Sequence, residues 1–405
     1  MTGRSAQVVY LGVVASLVFA RPCRTLYLAA FVPRLAAGCL LLLALVTMAM
    51  LVIQSHRDYL TARRGSAVLL ASVAGMTAVC SFAFARATAT GASVQAVASF
   101  LPYLELPLFL LMGRGISLDF ETTARAFALG SMLVATSVLL DAEGLWNLGT
   151  WGGLVVRPGL SRVLYRPAGW LVSRNYAGEY LAISTPLALL SSTPRVLLAT
   201  AMLTSGMALG LTRCRTGGLA LLVGLSVVLV FSRKDRRRFH GLMSGLVLFG
   251  MVCASLVPTR LSWREPNPFA TTLTSLLDLQ HGSGALRLEQ YRVTWSLLRG
   301  HLLDGLGMGS WQELMRKRAF DLGMNAFPSS DYLRLLCDGG IFALLLGCLS
   351  IGALISTAFR AQRSVMLAPL AAWATVSLAD AALFRPEITF LLAALAIATV
   401  RAPPE

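Results

Sequence analysis

The sequence predicts an all-α, polytopic integral membrane protein with about twelve transmembrane helices and one large loop on the outer side of the membrane. Three observations carry that expectation. Hydrophobic residues make up 56% of the 405 positions and charged residues only 13%, with a mean hydropathy of +0.69, far from a soluble domain. Apolar runs of near-span length recur along the whole chain. A single long polar interruption, residues 258–337, breaks the series.

The expected spans lie near 7–20, 35–54, 66–86, 92–112, 124–141, 176–191, 196–212, 218–231, 240–257, 338–358, 364–379 and 386–400. The first apolar run, from Val8 to Ala20, continues into Arg21-Pro22 and further apolar sequence with no small-residue cleavage site, so it reads as a first span and not a removed signal. No internal repeat and no glycine-rich nucleotide loop is evident. One membrane domain over 1–405 is therefore expected, with spans in 7–257 and 338–400 around the loop. The seven cysteines form no CxxC and lie in or beside apolar runs, as small packing residues do. The four histidines show no metal-ligand spacing, and neither a metal nor a cofactor is expected.

Basic loops orient such a chain, because Lys and Arg flanking spans stay in the cytoplasm. Residues 233–238, with Lys234 and four arginines, form the strongest anchor; 56–64 and 360–363 fall on the same side. Both termini are then cytoplasmic, and 142–175, the turn Arg213-Cys214-Arg215 and 258–337 lie outside. Those outside segments are rich in arginine against the trend: Arg157, Arg162, Arg166 and Arg174 in the first, two in the turn, Arg287 and Arg292 in the loop. Guanidinium groups suit bidentate phosphate binding, so an anionic ligand is expected there. The plain alternative is that long loops translocate regardless of charge; it weighs against Arg157 and Arg162 more than against Arg213 and Arg215, which border hydrocarbon.

Four stretches then carry a resemblance. Arg166-Pro-Ala-Gly169 followed by Asn175-Tyr-Ala-Gly178, the turn Thr212-Arg213-Cys214-Arg215-Thr-Gly-Gly, Arg287 to Tyr291 with His301 to Gly309, and Ser329-Ser330-Asp331-Tyr332-Leu333 through Asp338-x-Gly340-x-x-Ala343 occur in order over 166–343. Together they resemble the O-antigen ligase and polymerase family. The resemblance implies a bacterial inner-membrane glycosyltransferase of the GT-C kind that takes a glycan from an undecaprenyl-diphosphate-type carrier on the periplasmic face. It implies Arg215 and Arg287 as the diphosphate-binding pair, Arg213, Arg292 and Arg166 as further candidates, and Asn175 as a shaper of the donor pocket. A membrane lipid environment and, in the pathway, a flippase and a chain-length regulator are the implied partners; nucleic acid is not one.

The chain departs from that pattern where ligase members carry a histidine thought to serve as general base. Ser329 stands there, followed by Ser330, and an unassisted serine cannot accept a proton at neutral pH. This favours a polymerase over a ligase. Asp331 is the tentative base, with His301 and Glu179 as further candidates; Asp331 also reads as the N-cap of the next helix, His301 as a surface residue, and Glu179 as a group orienting an arginine. Asp380, Arg385 and Glu387 suit ion pairs between helices near the outer surface. A lipid-linked sugar transporter and a non-catalytic assembly partner are the alternatives from other classes.

Overall fold

The computed structural model describes residues 33–61, 64–89, 94–115, 120–143, 169–171, 173–189, 191, 193–232, 234–256, 282–311, 314, 330–360, 366–380 and 385–401. Among these the regular structure is helical and no strand occurs. In chain order the helices are α1 (Pro33–Leu60), α2 (Arg64–Ala89), α3 (Val94–Gly115), α4 (Phe120–Ala142), α5 (Arg174–Ala188), α6 (Arg195–Thr212), α7 (Arg215–Phe231), α8 (Lys234–Leu256), α9 (Gly282–Leu298), α10 (Asp331–Arg360), α11 (Leu367–Ala379) and α12 (Pro386–Arg401); a 3-10 turn covers Gly169–Leu171. Eleven expected spans thus meet a helix, α9 is an additional helix inside the expected loop, and the span near 7–20 lies outside the described residues.

The protein is a helical, multi-pass membrane protein. Among the described residues, six helical stretches are long and apolar enough to cross a bilayer, within α1, α2, α4, α6, α8 and α10. That is fewer than the twelve expected. Length accounts for four of the others: α5 has 15 residues, α7 17, α11 13 and α12 16, short of the ~20 that a straight span needs, whereas α3 has 22 and the span near 7–20 lies outside the described residues. Loop 258–337 is also shorter than expected at its end, since α10 starts at Asp331 and not near 338.

The chain divides into two compact units. Unit 1 comprises Met1–Phe120, Leu279–Arg363 and Ser377–Glu405; unit 2 comprises Glu121–Asp278 and Ser364–Val376. In unit 1, α2 packs on α1 and α10, and α3 packs on α12. Its core joins Met76, Cys80 and Phe84 of α2 to Phe100, Tyr103 and Leu104 of α3, with Met308 from the loop and Leu335 from α10. One buried ion pair ties three helices. Arg114 of α3 makes two 2.6 Å contacts with Asp58 of α1, and the Ser66 hydroxyl of α2 also donates to Asp58. Removing one member of such a pair strands a charge, so Arg114→Ala is expected to cost about 3–5 kcal/mol. Thermal unfolding in detergent checks this, and a change under about 1 kcal/mol would contradict it.

In unit 2, α6 packs along α8, and α5 packs on α6 and α7. Small residues let the backbones approach: a Cβ at Gly210 of α6 would lie 2.5 Å from the Met251 carbonyl oxygen, and one at Gly250 of α8 2.7 Å from that of Leu203. Ser131 of α4 donates to Ser184 of α5 at 2.7 Å, satisfying two hydroxyls in an apolar layer.

Candidate functional site

In unit 2 two of the arginine-bearing stretches come together. Helix α6 ends at Thr212, and Arg213 adopts the left-handed conformation (φ 49°, ψ 34°) that reverses the chain. Cys214 then caps α7: its sulfur accepts from the Gly217 amide at 3.4 Å, its thiol donates to the Asn175 carbonyl at 3.8 Å, and its amide donates to the Thr212 hydroxyl oxygen at 3.4 Å. Cys214 is therefore more than a packing residue. The opening of α5 lies against this turn, with no room for a side chain at Gly178: an added Cβ would stand 3.1 Å from the Cys214 sulfur and 3.1 Å from the Thr212 hydroxyl oxygen.

The N-termini of α5 and α7 thus meet at one turn. Each presents amides with no intrahelical partner and the positive end of its macrodipole. Arg174 and Asn175 on α5, and Arg213 and Arg215 on the turn, are all half-buried there. Glu179, one helical turn past Asn175, is fully buried beneath. Chemically the arrangement is a cationic, amide-rich mouth suited to an anion. Upstream, the Gly169 amide donates to Asp141 at the end of α4 at 3.0 Å, which anchors the glycine of the Arg166 stretch; Arg166 itself lies outside the described residues, as do Arg157, Arg162 and Ser329.

In unit 1 the loop residues serve a different purpose. Helix α10 is broken at Gly340, whose φ of 69° and ψ of −165° are not helical. An unbroken helix would pair the Ile341 amide with the Cys337 carbonyl. Instead Ile341 donates to Leu302 O at 2.8 Å, while Cys337 O accepts from Leu306 at 2.7 Å and from Gly307 at 3.3 Å. The glycine-rich turn 304–309 is a splint for the broken helix: it satisfies backbone groups that an apolar setting cannot leave open. Met308 roots it in the core, and Arg86 of α2 holds its rim through Asp304 at 2.6 Å. That hydrogen bond from Arg86 keeps the Asp304 carboxyl below its ordinary range.

Helix α9 docks on the end of α11. Arg287 lies 3.9 Å from Asp380, and the Tyr291 hydroxyl, one turn on, donates to Leu378 O at 2.7 Å. This explains the spacing of arginine and tyrosine: both face one side of the helix. Burial pushes the Tyr291 phenol up, so it remains a donor. Arg292 is on another face, exposed, 3.8 Å from Glu289. His301 is exposed, 3.7 Å from Asp304.

Asp331 is not the N-cap of α10. The Arg334 amide bonds to Ser330 O at 3.0 Å, so Ser330 is the capping position and Asp331 is inside the first turn. The Asp331 carboxylate is buried and accepts from the Ser377 hydroxyl at 2.5 Å; the Ser330 hydroxyl donates to Ser377 O at 2.9 Å. Farther along, Asp338 accepts from the Tyr103 hydroxyl at 2.8 Å and sits 3.6 Å from Arg334. Of the expected outer ion pairs, Asp380 with Arg385 is formed at 2.8 Å.

The structure therefore gathers Asn175, Glu179, Arg213 and Arg215 in unit 2, and places Arg287, Ser330 and Asp331 around residues 377–380 in unit 1. Arg292 and His301 face Glu289 and Asp304 instead. Ser377 and Leu378 escaped the sequence reading, because both lie in an apolar run and Leu378 contributes only a carbonyl. The one available signal was Asp380 beside Arg385.

No curated protein matches the chain. Residues 200–348 match the family model described as O-Antigen ligase, a stretch that holds the Arg213–Arg215 turn, α9, the splint and the break in α10. The likeness to the O-antigen ligase family covers that stretch, less than half of the chain.

Proposed function

We propose that the protein is a polysaccharide polymerase, which transfers a growing glycan from its polyprenyl-diphosphate carrier to the nonreducing end of a lipid-linked repeat unit. The observation that carries this reading is the meeting of two helix N-termini and the Arg213–Arg215 turn in unit 2. As the acceptor hydroxyl attacks the anomeric carbon, the bond to the carrier breaks and negative charge grows on the departing diphosphate. Arg215 and the fixed amides stabilise that charge, with Arg213 and Arg166 as further contacts and Asn175 shaping the pocket. Arg287 is the unit 1 candidate for the same role, and Arg292 the weaker one. Asp331 is the group assigned to take the acceptor proton, ahead of Glu179 and His301. The chain is set in the inner membrane with about twelve passages, short helices included, both termini cytoplasmic and the site periplasmic.

A ligase that moves the finished glycan to a lipid or protein acceptor is the second reading. Serine at 329, where ligases use histidine, favours the polymerase.

Arg287→Ala in the producing cell is expected to abolish long polymer and to accumulate single lipid-linked repeat units. Unaltered polymer length would contradict the enzyme and favour a scaffold, and loss of export with cytoplasmic accumulation a transporter. The sidedness is tested by His301→Cys, expected to react with a membrane-impermeant maleimide from the periplasmic side only.

A further inference from the structure

We propose that residues 377–380 position both the Asp331 carboxylate and the Arg287 guanidinium, and so are a positioning element for the transfer reaction; this rests on the roles given to those two residues above.

Three hydrogen bonds and one ion pair, made by Ser377, Leu378 and Asp380, carry the inference. The Ser377 hydroxyl donates to Asp331 Oδ2 at 2.5 Å. The Ser377 carbonyl accepts from the Ser330 hydroxyl at 2.9 Å. The Leu378 carbonyl accepts from Tyr291 at 2.7 Å, and the Asp380 carboxylate faces Arg287 at 3.9 Å. One short segment thus touches the start of α10 and one face of α9, two elements far apart in sequence. Ser377 and Asp331 are both buried, so their hydrogen bond is shielded from water.

The two contacts to Asp380 are unequal, and the inequality has a consequence. Buried Arg385 holds Asp380 Oδ1 at 2.8 Å, while half-buried Arg287 stands off Oδ2 at 3.9 Å. Arg385 therefore makes the closer contact with Asp380, and Arg287 is oriented by the longer one. The Arg287–Asp380–Arg385 row carries one net positive charge, which suits an anionic ligand.

The two halves separate in kinetics. Ser377 acts on the proton acceptor, so its loss is expected to lower kcat; Asp380 acts on the donor-binding cation, so its loss is expected to raise KM. The assay uses the purified full chain in nanodiscs, with lipid-linked repeat units extracted from cells that lack this protein. Ser377→Ala is expected to reduce kcat on the order of 10²-fold with KM held, as misplacement of a reacting group by about 1 Å does. Ser377→Thr, which keeps the hydroxyl, is expected to recover most of the rate. Asp380→Asn is expected to raise KM for the donor on the order of tenfold. Equal loss in the Ala and Thr variants, or wild-type kinetics in Ser377→Ala and Asp380→Asn while Asp331→Asn and Arg287→Ala are impaired, would overturn the inference alone. Wild-type kinetics in Asp331→Asn and Arg287→Ala would overturn the underlying reading as well.

Discussion

Gly340→Ala is expected to abolish polymer formation and to destabilise the protein by on the order of 3 kcal/mol or more. At φ 69° and ψ −165° the backbone occupies a region that only glycine enters readily, and an added Cβ would run into the Leu303 carbonyl and stand 2.9 Å from the Asp304 amide nitrogen. Two responses are open to the chain. Helix α10 can straighten, restoring the bond from Ile341 to Cys337, but this withdraws the partner of Leu306 and Gly307 and releases the splint. Otherwise the break stays and the strain is carried in full. Gly305→Ala is expected to act similarly, since its Cβ would lie 2.6 Å from the Cys337 carbonyl oxygen. Gly352→Ala, in the same helix with nothing within 4 Å of its added Cβ, is the control and is expected to be neutral or mildly stabilising. Thermal unfolding of the three variants checks the set; indistinguishable Gly340→Ala and Gly352→Ala proteins would contradict the splint.

Arg215→Ala is expected to reduce turnover by about 10²–10³-fold, the usual effect of deleting one preorganised group that stabilises departing charge. Arg215→Lys keeps the charge but loses the planar fork, and is expected to fall between. Arg213 differs, because its side chain rides on a strained left-handed residue (φ 49°). Arg213→Gly removes the cation while easing the backbone, so any loss of activity there is expected without loss of stability. Equal stability of all three variants, with graded turnover, separates binding of the diphosphate from maintenance of the turn.

Much of this was legible in the sequence, for physical reasons that differ by element. Spans in α1, α2 and α10 announce themselves because the lipid-facing residues of a spanning helix are almost all apolar. Arg213 and Arg215 stood out because cations beside hydrocarbon need a reason. The glycines of 304–309 were visible, but their purpose was not. In the sequence they are only part of the pattern His301 to Gly309; in the fold the amides of Leu306 and Gly307 are taken by Cys337, a carbonyl freed by a break that no propensity marks. Asp331 read as a tentative base or as a cap, because aspartate suits the start of a helix; only the fold shows Ser377 across from it. Helices of 13–17 residues read as full spans, since hydropathy registers apolar content and is insensitive to where caps such as Cys214 stop a helix.

On the proposed reading the turn at Arg213–Arg215 grips a lipid-borne diphosphate. Binding of geranylgeranyl diphosphate to the purified full chain, set against geranylgeranyl monophosphate and repeated with Arg215→Ala, tests it most directly. The account predicts that the wild type prefers the diphosphate by tenfold or more, on the order of 1.4 kcal/mol, and that Arg215→Ala loses that preference. Equal affinity of the wild type for both lipids, or an unchanged preference in Arg215→Ala, would contradict it.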